Sequence, residues 1–436
     1  MSTSLRIAPR LVRPVQERVA LYLKLGRNDH RVLSQLLSEE RTAMSGVVFD
    51  PEYVDIHEEI HTEVRQRNLE AVLDTRMMEL ATPTGCTGRR AALPWGNARP
   101  HTITDFAGSA VDRIAASVAE FAVSKGFTVI LSPTHFLADG VRDPWFDIDR
   151  SLTRRLRECL DSRGASDVAI YYPLAIPTKI FFDSTNLVAL RTAFQGLRFD
   201  GIWLRVHPFG SHSGHLALHR YIAACRQLHG LSLPLVAERT GNIGLALLAF
   251  GAVGGIESGV SSGERFDFSR LVRKHSERSG FAPHQRVYFA PLGIFLTRER
   301  ADLFLRNRTM RANFACADTI CCRRGAQDML GDPRRHFLLT RMGEVSMIGS
   351  APGSLRASEY LDKILRPATD RLGRALQAPV DSGIRDRLEK ERRRLDGWRY
   401  TLGEMARGEV GTYSAVPRRR ALRQRRVSAD VFAPRG

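Results

Sequence analysis

From about residue 69 the chain alternates short apolar runs rich in β-branched residues with amphipathic stretches of helical period. This is the pattern of a parallel sheet wrapped by helices. The runs are LEAVLD, FTVILS, DVAIYYPL, FDGIWLRV, LPLVAER, AVGGIESGV, RVYFAPLG and, more weakly, ANFAC, eight in all. Helical stretches at residues 109–125, 150–162, 183–195, 213–229, 241–250, 266–278 and 297–308 fall between or after them. Gly126, Gly164, Gly196 and Gly230 stand where such helices need a residue that can end them. Eight strands with intervening helices predict an α/β fold, a closed (β/α)8 barrel of the TIM type. No strand is followed by the GxGxxG of a dinucleotide-binding fold.

The same pattern divides the chain into four parts: an N-terminal helical segment (1–66), the barrel (67–316), a zinc-like motif with C-terminal helices (317–408), and a basic tail (409–436) expected to be disordered. In the first part His57 and His61 lie one helical turn apart with Glu58 beside them, a formal match to the His-Glu-x-x-His zinc-protease pattern. The match falls outside the expected barrel, so an ordinary surface helix is expected there.

Composition narrows the class. A chain of 436 residues, 43% hydrophobic, can bury a barrel-sized core plus appendages. No run reaches the roughly 18 to 20 apolar residues that span a bilayer, and the opening residues lack the apolar core of a secretory signal. A cytoplasmic protein with no membrane partner is expected. A formal net charge of +18 favours polyanions, which makes RNA or DNA a candidate partner. Much of that excess is local, in Arg392, Arg393 and Arg394 and then Arg418, Arg419, Arg420, Arg423, Arg425 and Arg426. A basic tail of this kind binds nucleic acid whatever the core does. The pattern is compatible with a homo-oligomer and does not specify one.

Side chains at the C-terminal ends of barrel strands converge on one mouth. The first predicted strand offers Asp74 and Arg76 on one face, the second His135, the fourth Arg205 and His207, the fifth Glu238 and Arg239, and the sixth Glu257. Carboxylates enclosed beside arginines and histidines have their protonation states set by those neighbours, as acid–base and nucleophilic chemistry requires. Asp74, Glu238, Glu257 and His135 are therefore the candidate catalytic residues, and Arg76, Arg205, His207 and Arg239 candidate substrate contacts. The competing reading makes them ion pairs that close the barrel top. Gly254 and Gly255, in the glycine-rich segment AFGAVGGIESGVSSGERFD, would let backbone amides approach an anion or a planar base; the alternative is a tight turn with no ligand.

The sharpest chemical signal is CADTICCRRGAQDMLGDPRRH. Cys316, Cys321, Cys322 and His336 supply three thiols and an imidazole, the donor set of a closed structural zinc site. Adjacent cysteines rarely share one ion, so the spacing leaves open whether Cys321 and Cys322 both ligate, and reduced structural cysteines beside a surface histidine are the alternative. The other three cysteines are scattered, and six in all are too few for a disulfide framework.

A barrel followed by three cysteines, a histidine opening a helix, and further helices resembles the tRNA-guanine transglycosylase superfamily, including its relatives that insert deazaguanines into DNA. The resemblance rests on about 80 residues around Cys316, Cys321, Cys322 and His336, and GGIESGVSSGE is similar to the family's glycine-rich base-binding loop. It implies exchange of a guanine-type base in RNA or DNA, a pentosyl transfer through an aspartate nucleophile, with zinc in a purely structural place. The spacing here is Cys-x4-Cys-Cys where the family has Cys-x-Cys-x2-Cys. The family's Asp-Ser-Gly-Gly-Phe-Gln segment has no counterpart, and RVYFAPLGIFLTRER holds no aspartate at the nucleophile's place, which leaves Asp74 as substitute. Two other readings stand beside base exchange: a barrel enzyme acting on a small anionic metabolite, and a non-catalytic nucleic-acid-binding barrel.

Overall fold

In the computed structural model, residues 19–260, 264–273, 285–408 and 411–417 are described. Eight parallel strands close into a barrel: β1 (Ala20–Lys24), β2 (Gly46–Phe49), β3 (Glu70–Asp74), β4 (Val129–Leu131), β5 (Ala169–Pro177), β6 (Gly201–His207), β7 (Leu235–Glu238) and β8 (Gly255–Gly259). Each bonds to the next, and β8 returns to β1 with Glu257 opposite Tyr22. One principal helix fills each gap: α1 (His30–Ser38), α2 (Glu58–Gln66), α3 (Ala110–Lys125), α4 (Pro144–Ser162), α5 (Ser184–Phe194), α6 (His215–Leu228) and α7 (Asn242–Ala249). Their ends follow local chemistry. Asp143 accepts a hydrogen bond from Trp145 N to open α4 with Pro144 in its first turn, and Gly126, at φ +77°, closes α3.

The barrel is the expected fold, but its limits differ from the expected 67–316. It begins at Ala20 and ends at Gly259, so the first 66 residues are not a separate helical segment. The runs ALYLK and GVVF are strands too short to stand out among the charged helices around them. The runs assigned as strands seven and eight lie elsewhere. RVYF becomes β9 (Arg286–Phe289), which turns back through Gly293 to pair antiparallel with β10 (Ile294–Thr297). A connection this short cannot return a strand parallel into the barrel, because that crossover needs a dozen or more residues. ANFAC falls on α9 (Arg308–Phe314), which follows α8 (Arg298–Arg306). Of the helix expected at 266–278, only Ser269–Val272 is helical among the described residues, and 274–278 lie outside them.

The longer helices of the C-terminal extension are α10 (Pro333–Ser350), α11 (Arg366–Gln377) and α12 (Ser382–Arg407). Arg341 of α10 joins this extension to the barrel. Fully buried, it lies against the rings of Tyr288 and Phe337 and donates to the Asn242 side chain at the start of α7, 2.7 Å away. The tail is not free from residue 409 onward. Residues 411–417 run along the end of the barrel opposite the mouth, where Ser414 N donates to Gly251 O (2.8 Å) and Ser414 Oγ accepts from Leu235 N (3.0 Å). Residues 418–436 lie outside the described set. No described helix is long and apolar enough to cross a membrane.

The period of two along each strand decides what faces the barrel axis. Tyr22, Val48, Val72, Leu131, Tyr171, Trp203 and Val236 form an interior cluster distinct from the larger core between strands and helices. Two positions further toward the mouth the same faces carry Lys24, Asp50, Asp74, Arg205 and Glu238. Burial of each apolar side chain below stabilises by about 1.5–3 kcal/mol. The charged layer above contributes far less, because desolvation opposes its ion pairs.

Candidate active site at the barrel mouth and a cysteine–histidine cluster

The charged layer is continuous. Lys24 Nζ bridges Asp50 Oδ1 (2.5 Å) and Asp74 Oδ2 (2.8 Å), and Asp74 Oδ2 also meets Arg205 Nη2 at 2.9 Å. Arg205 Nε donates to Glu238 Oε2 at 2.5 Å, and the same oxygen accepts from Trp203 Nε1 at 3.1 Å. Arg76 reaches Glu79 at 2.9 Å and Asp74 at 3.5 Å. Arg239 lies over the other end, with Nε 3.5 Å from Glu238 and 3.9 Å from Glu257. Of the expected residues, Asp74, Arg76, Arg205, Glu238, Arg239 and Glu257 are thus brought together.

Within this layer two carboxyls are driven in opposite directions. Burial alone would raise Asp74, but Arg205, Lys24 and Arg76 outweigh it and hold its pKa well below the usual carboxylate value. Burial likewise works against the charge on Lys24, yet Asp50 and Asp74 keep its pKa above that of an ordinary lysine. Glu257 goes the other way. Burial first and the neighbouring Glu238 second push its pKa up to about 8, against the pull of Lys24, Arg239 and Arg205. Its side chain is almost wholly enclosed, and among the described residues neither carboxyl oxygen has a hydrogen-bond partner. Asp74 is held by three cations and by the backbone amide of Arg76 (3.2 Å). Glu257 has a proton to give and nothing to give it to.

Four of the expected site residues lie elsewhere. His135 turns away from the axis: its Nδ1 is 2.6 Å from Asp149 of α4 and its ring stacks on Trp145 at 3.7 Å. Four residues beyond the end of β4, its backbone has left the inward-facing register, and its partners belong to the helical layer. His207 stands at the rim, where its Nδ1 accepts from Phe268 N (3.0 Å) with Asp267 at 3.5 Å, and burial lowers its pKa. It is a neutral hydrogen-bond acceptor there, not an anion clamp. Gly254 and Gly255 lie at the start of β8, the end opposite the mouth. A Cβ on Gly254 would meet Ala415 O at 2.1 Å, so its bareness serves the tail segment 411–417 and no base. Arg76 and Arg205 sit in the layer but spend their donors on carboxylates, which leaves Arg239, its side chain one-third exposed, as the accessible cation of this group.

The cysteine–histidine cluster assembles as expected. The ligand atoms of Cys316, Cys321, Cys322 and His336 all lie within 4.8 Å of one another. Cys321 Sγ and Cys322 Sγ are 3.7 Å apart, and His336 Nδ1 is 3.3 and 3.4 Å from them. A tetrahedral zinc with bonds of about 2.3 Å to sulfur and 2.0 Å to nitrogen sets edges of about 3.5–3.8 Å, close to the separations among Cys321, Cys322 and His336. His336 is buried, not superficial, and its Nε2 is 2.9 Å from Tyr288 O of β9, which leaves Nδ1 facing the sulfurs. His57 and His61 do not form a second such set. Both are buried: His57 Nε2 lies 3.3 Å from Arg27 O, and His61 packs edge-on against Phe49 and Phe127. The expectation of an ordinary surface helix therefore fails for these two side chains.

Lys24 and Asp50 were missed at the sequence level because the strands that carry them were. ALYLK and GVVFD both end an apolar run in a charge, as LEAVLD does at Asp74, and that shared ending was the available signal. Asp149 carries no comparable mark, since it looks like one more acid on an amphipathic helix.

No family model and no curated protein matches the chain. Solved structures with similar folds include an endo-1,4-beta-xylanase of Penicillium canescens, 11% identical over 56% of this chain and 83% of that one, with a TM-score of 0.40. A thermostable mutant of a Cellvibrio japonicus xylanase is 10% identical over 56% of this chain and 86% of that one, with a TM-score of 0.34. An alpha-xylosidase from a soil metagenome, complexed with xylose, is 10% identical over 78% of this chain and 51% of that one, with a TM-score of 0.37. None of these carries chemistry over to this chain.

Proposed function

We propose that the protein is a barrel enzyme that exchanges a guanine-type base in RNA or DNA, with Glu257 as the proton carrier. The observation that carries this reading is the enclosed Glu257 carboxyl, without a hydrogen bond on either oxygen and protonated at neutral pH, in one layer with Asp74, whose pKa its cations hold well down. Two acids pushed apart in pKa within one site are the usual basis of an acid–base division of labour. As the bond from the sugar C1′ to the base nitrogen breaks, the electron pair leaves with the base and Glu257 protonates it. The positive charge that builds on the sugar faces Asp74 and Glu238. The incoming base then adds to C1′ through a ring nitrogen and returns that nitrogen's proton to Glu257. Asp74, bound to Lys24 and Arg205, serves as a fixed negative charge; covalent attack would require it to leave both.

The four ligands Cys316, Cys321, Cys322 and His336 would hold a zinc ion with no open position. Bound there, the ion supplies structural cross-linking and no chemistry. His336, through its contact with Tyr288 O, would link such a site to β9.

Incorporation of labelled guanine, or of a deazaguanine, into tRNA and duplex DNA tests the exchange. Glu257→Gln is expected to lower the rate by about 10^2- to 10^3-fold while the folded protein persists. In the wild type the rate should fall as pH rises through about 8, where Glu257 loses its proton, and the variant should lack that limb. A wild type that incorporates neither base into either nucleic acid removes the reading. The accessible Arg239 beside Glu257 favours the second reading, a small anionic substrate at the same mouth.

A further inference from the structure

A second concavity of about 270 Å3 lies where the segment after β6 meets the β9–β10 hairpin and α12. Its walls carry Arg286, Arg300, Arg387 and Arg394, with His212 and a single carboxylate, Glu264. Arg387 and Arg394 are seven residues apart on α12 and therefore share a face. Arg286 opens β9, paired with Thr297 of β10, and Arg300 follows in the first turn of α8, so these two approach from the hairpin side.

The charge in this cleft is poorly compensated from within. Among the described residues, Arg286, Arg300 and Arg387 make no ion pair. Glu264 is already engaged, accepting from Ser211 Oγ at 3.0 Å with Arg341 at 3.8 Å. Arg394 is the fixed member: it bonds to Glu391, lies 5.1 Å over the Trp398 ring, and has an enclosed Nε with no partner. The surroundings of His212 report the same field. Burial, then Arg387, Arg394, Lys390 and Arg265, push its pKa down to about 4.

Guanidinium groups gathered in a cleft repel one another unless an anion with several acceptor oxygens lies between them, and their planar forks suit phosphate oxygens in particular. We propose that this cleft is a phosphate-binding site. Its phosphate comes either from a nucleic-acid backbone or from a phosphorylated small molecule. The first source deepens the base-exchange reading, on which it rests, since a strand presenting its base to the mouth would lay a phosphate here. The charge of the cleft stands without that reading.

The test uses the full chain with Arg300→Gln and Arg387→Gln combined. Neither side chain has a carboxylate partner to lose, so an unchanged melting temperature is expected. Binding of labelled 12-nucleotide single-stranded DNA and RNA is followed by fluorescence anisotropy across a range of salt, and binding of inorganic pyrophosphate by calorimetry. For a backbone site, oligonucleotide affinity falls about tenfold or more near 0.1 M salt. The slope of log affinity against log salt becomes shallower by about 1.4, as two lost contacts of about 0.7 each require. For a small phosphorylated ligand, pyrophosphate affinity falls about tenfold and the oligonucleotide curves coincide with wild type. If neither changes, the proposal is overturned. If the double variant melts early, Arg286→Gln, on an exposed strand end, is read by the same two criteria. Arginine-dependent oligonucleotide binding in a protein that exchanges no base keeps the phosphate site and removes base exchange.

Discussion

The barrel mouth and the cysteine–histidine cluster both gather side chains capable of chemistry, yet they differ in whether anything is left unsatisfied. In the cluster four donor atoms lie within 4.8 Å of one another, and the one spare nitrogen of His336 is taken by Tyr288 O. A closed set of this kind can only hold. In the mouth Lys24, Asp74, Arg205 and Glu238 satisfy one another in a chain, and Glu257 stands at its end with neither oxygen in a hydrogen bond. Completeness marks a structural site, and a carboxyl with neither oxygen bonded, in a layer where Asp50, Asp74, Glu79 and Glu238 each hold a close cation, marks a reactive one.

The strongest way to break this contrast is to remove the ion. One zinc per chain is expected by elemental analysis. Stripping it with a chelator, or replacing Cys321 by Ala, should lower the thermal midpoint by about 10 °C or more, because structural zinc contributes folding free energy directly. The loss should begin in the β9–β10 hairpin and α10, which the cluster joins, and hydrogen exchange would locate it. A metal-free preparation that melts at the same temperature would make these residues ordinary reduced cysteines.

A smaller but still large effect is expected from the mouth. Asp74→Ala leaves Lys24 and Arg205 enclosed without their shared carboxylate, and breaking a buried pair in this way destabilises by about 3–5 kcal/mol. Denaturant unfolding measures it, and a loss below about 1 kcal/mol would mean that the layer does not depend on Asp74. The dependence on pH separates the two carboxyls. Asp74 has a folded pKa below its unfolded one, so its contribution is present above the unfolded value and is lost as pH falls through the folded value. Glu257 has the opposite shift, so its contribution is present below its unfolded pKa and declines as pH rises to about 8.

How much of this was legible depends on what each residue's neighbours in sequence revealed. Asp74, Arg205, Glu238 and Glu257 each end an apolar run, and the period of two carries them inward, so the mouth could be read directly. Lys24 and Asp50 have the same grammar, but their strands are five and four residues long and lie between charged helices, which hides them from any longer window. Cys316, Cys321, Cys322 and His336 were visible as a donor set; that both adjacent thiols converge depends on a turn whose geometry no spacing rule encodes. Gly254 misled because a glycine needed for close approach looks the same whether a ligand or the chain's own tail does the approaching. His135 misled because the strand had ended before it, and its true partner, Asp149, sits on α4, the helix that follows, outside the barrel.

The smallest expected effect tests the comparison against a third group, the His57–Glu58–His61 pattern, which matches a metal motif by spacing and has the burial of a core. Burial, with Arg65 and Lys125 nearby, holds the pKa of His61 down to about 4, so it is neutral in the folded protein where the unfolded chain binds a proton. Between its unfolded value and about pH 4 this group therefore weakens the fold as pH falls. His61→Phe keeps the aromatic contacts with Phe49 and Phe127 and removes the titration. It should leave neutral-pH stability within about 1 kcal/mol of wild type, apart from any overpacking, and should flatten the decline below pH 6. Zinc content should stay at one per chain. A fall in metal content in this variant would mean that the spacing motif, and not the closed cluster, holds the ion, and the distinction between the two regions would then have been drawn in the wrong place.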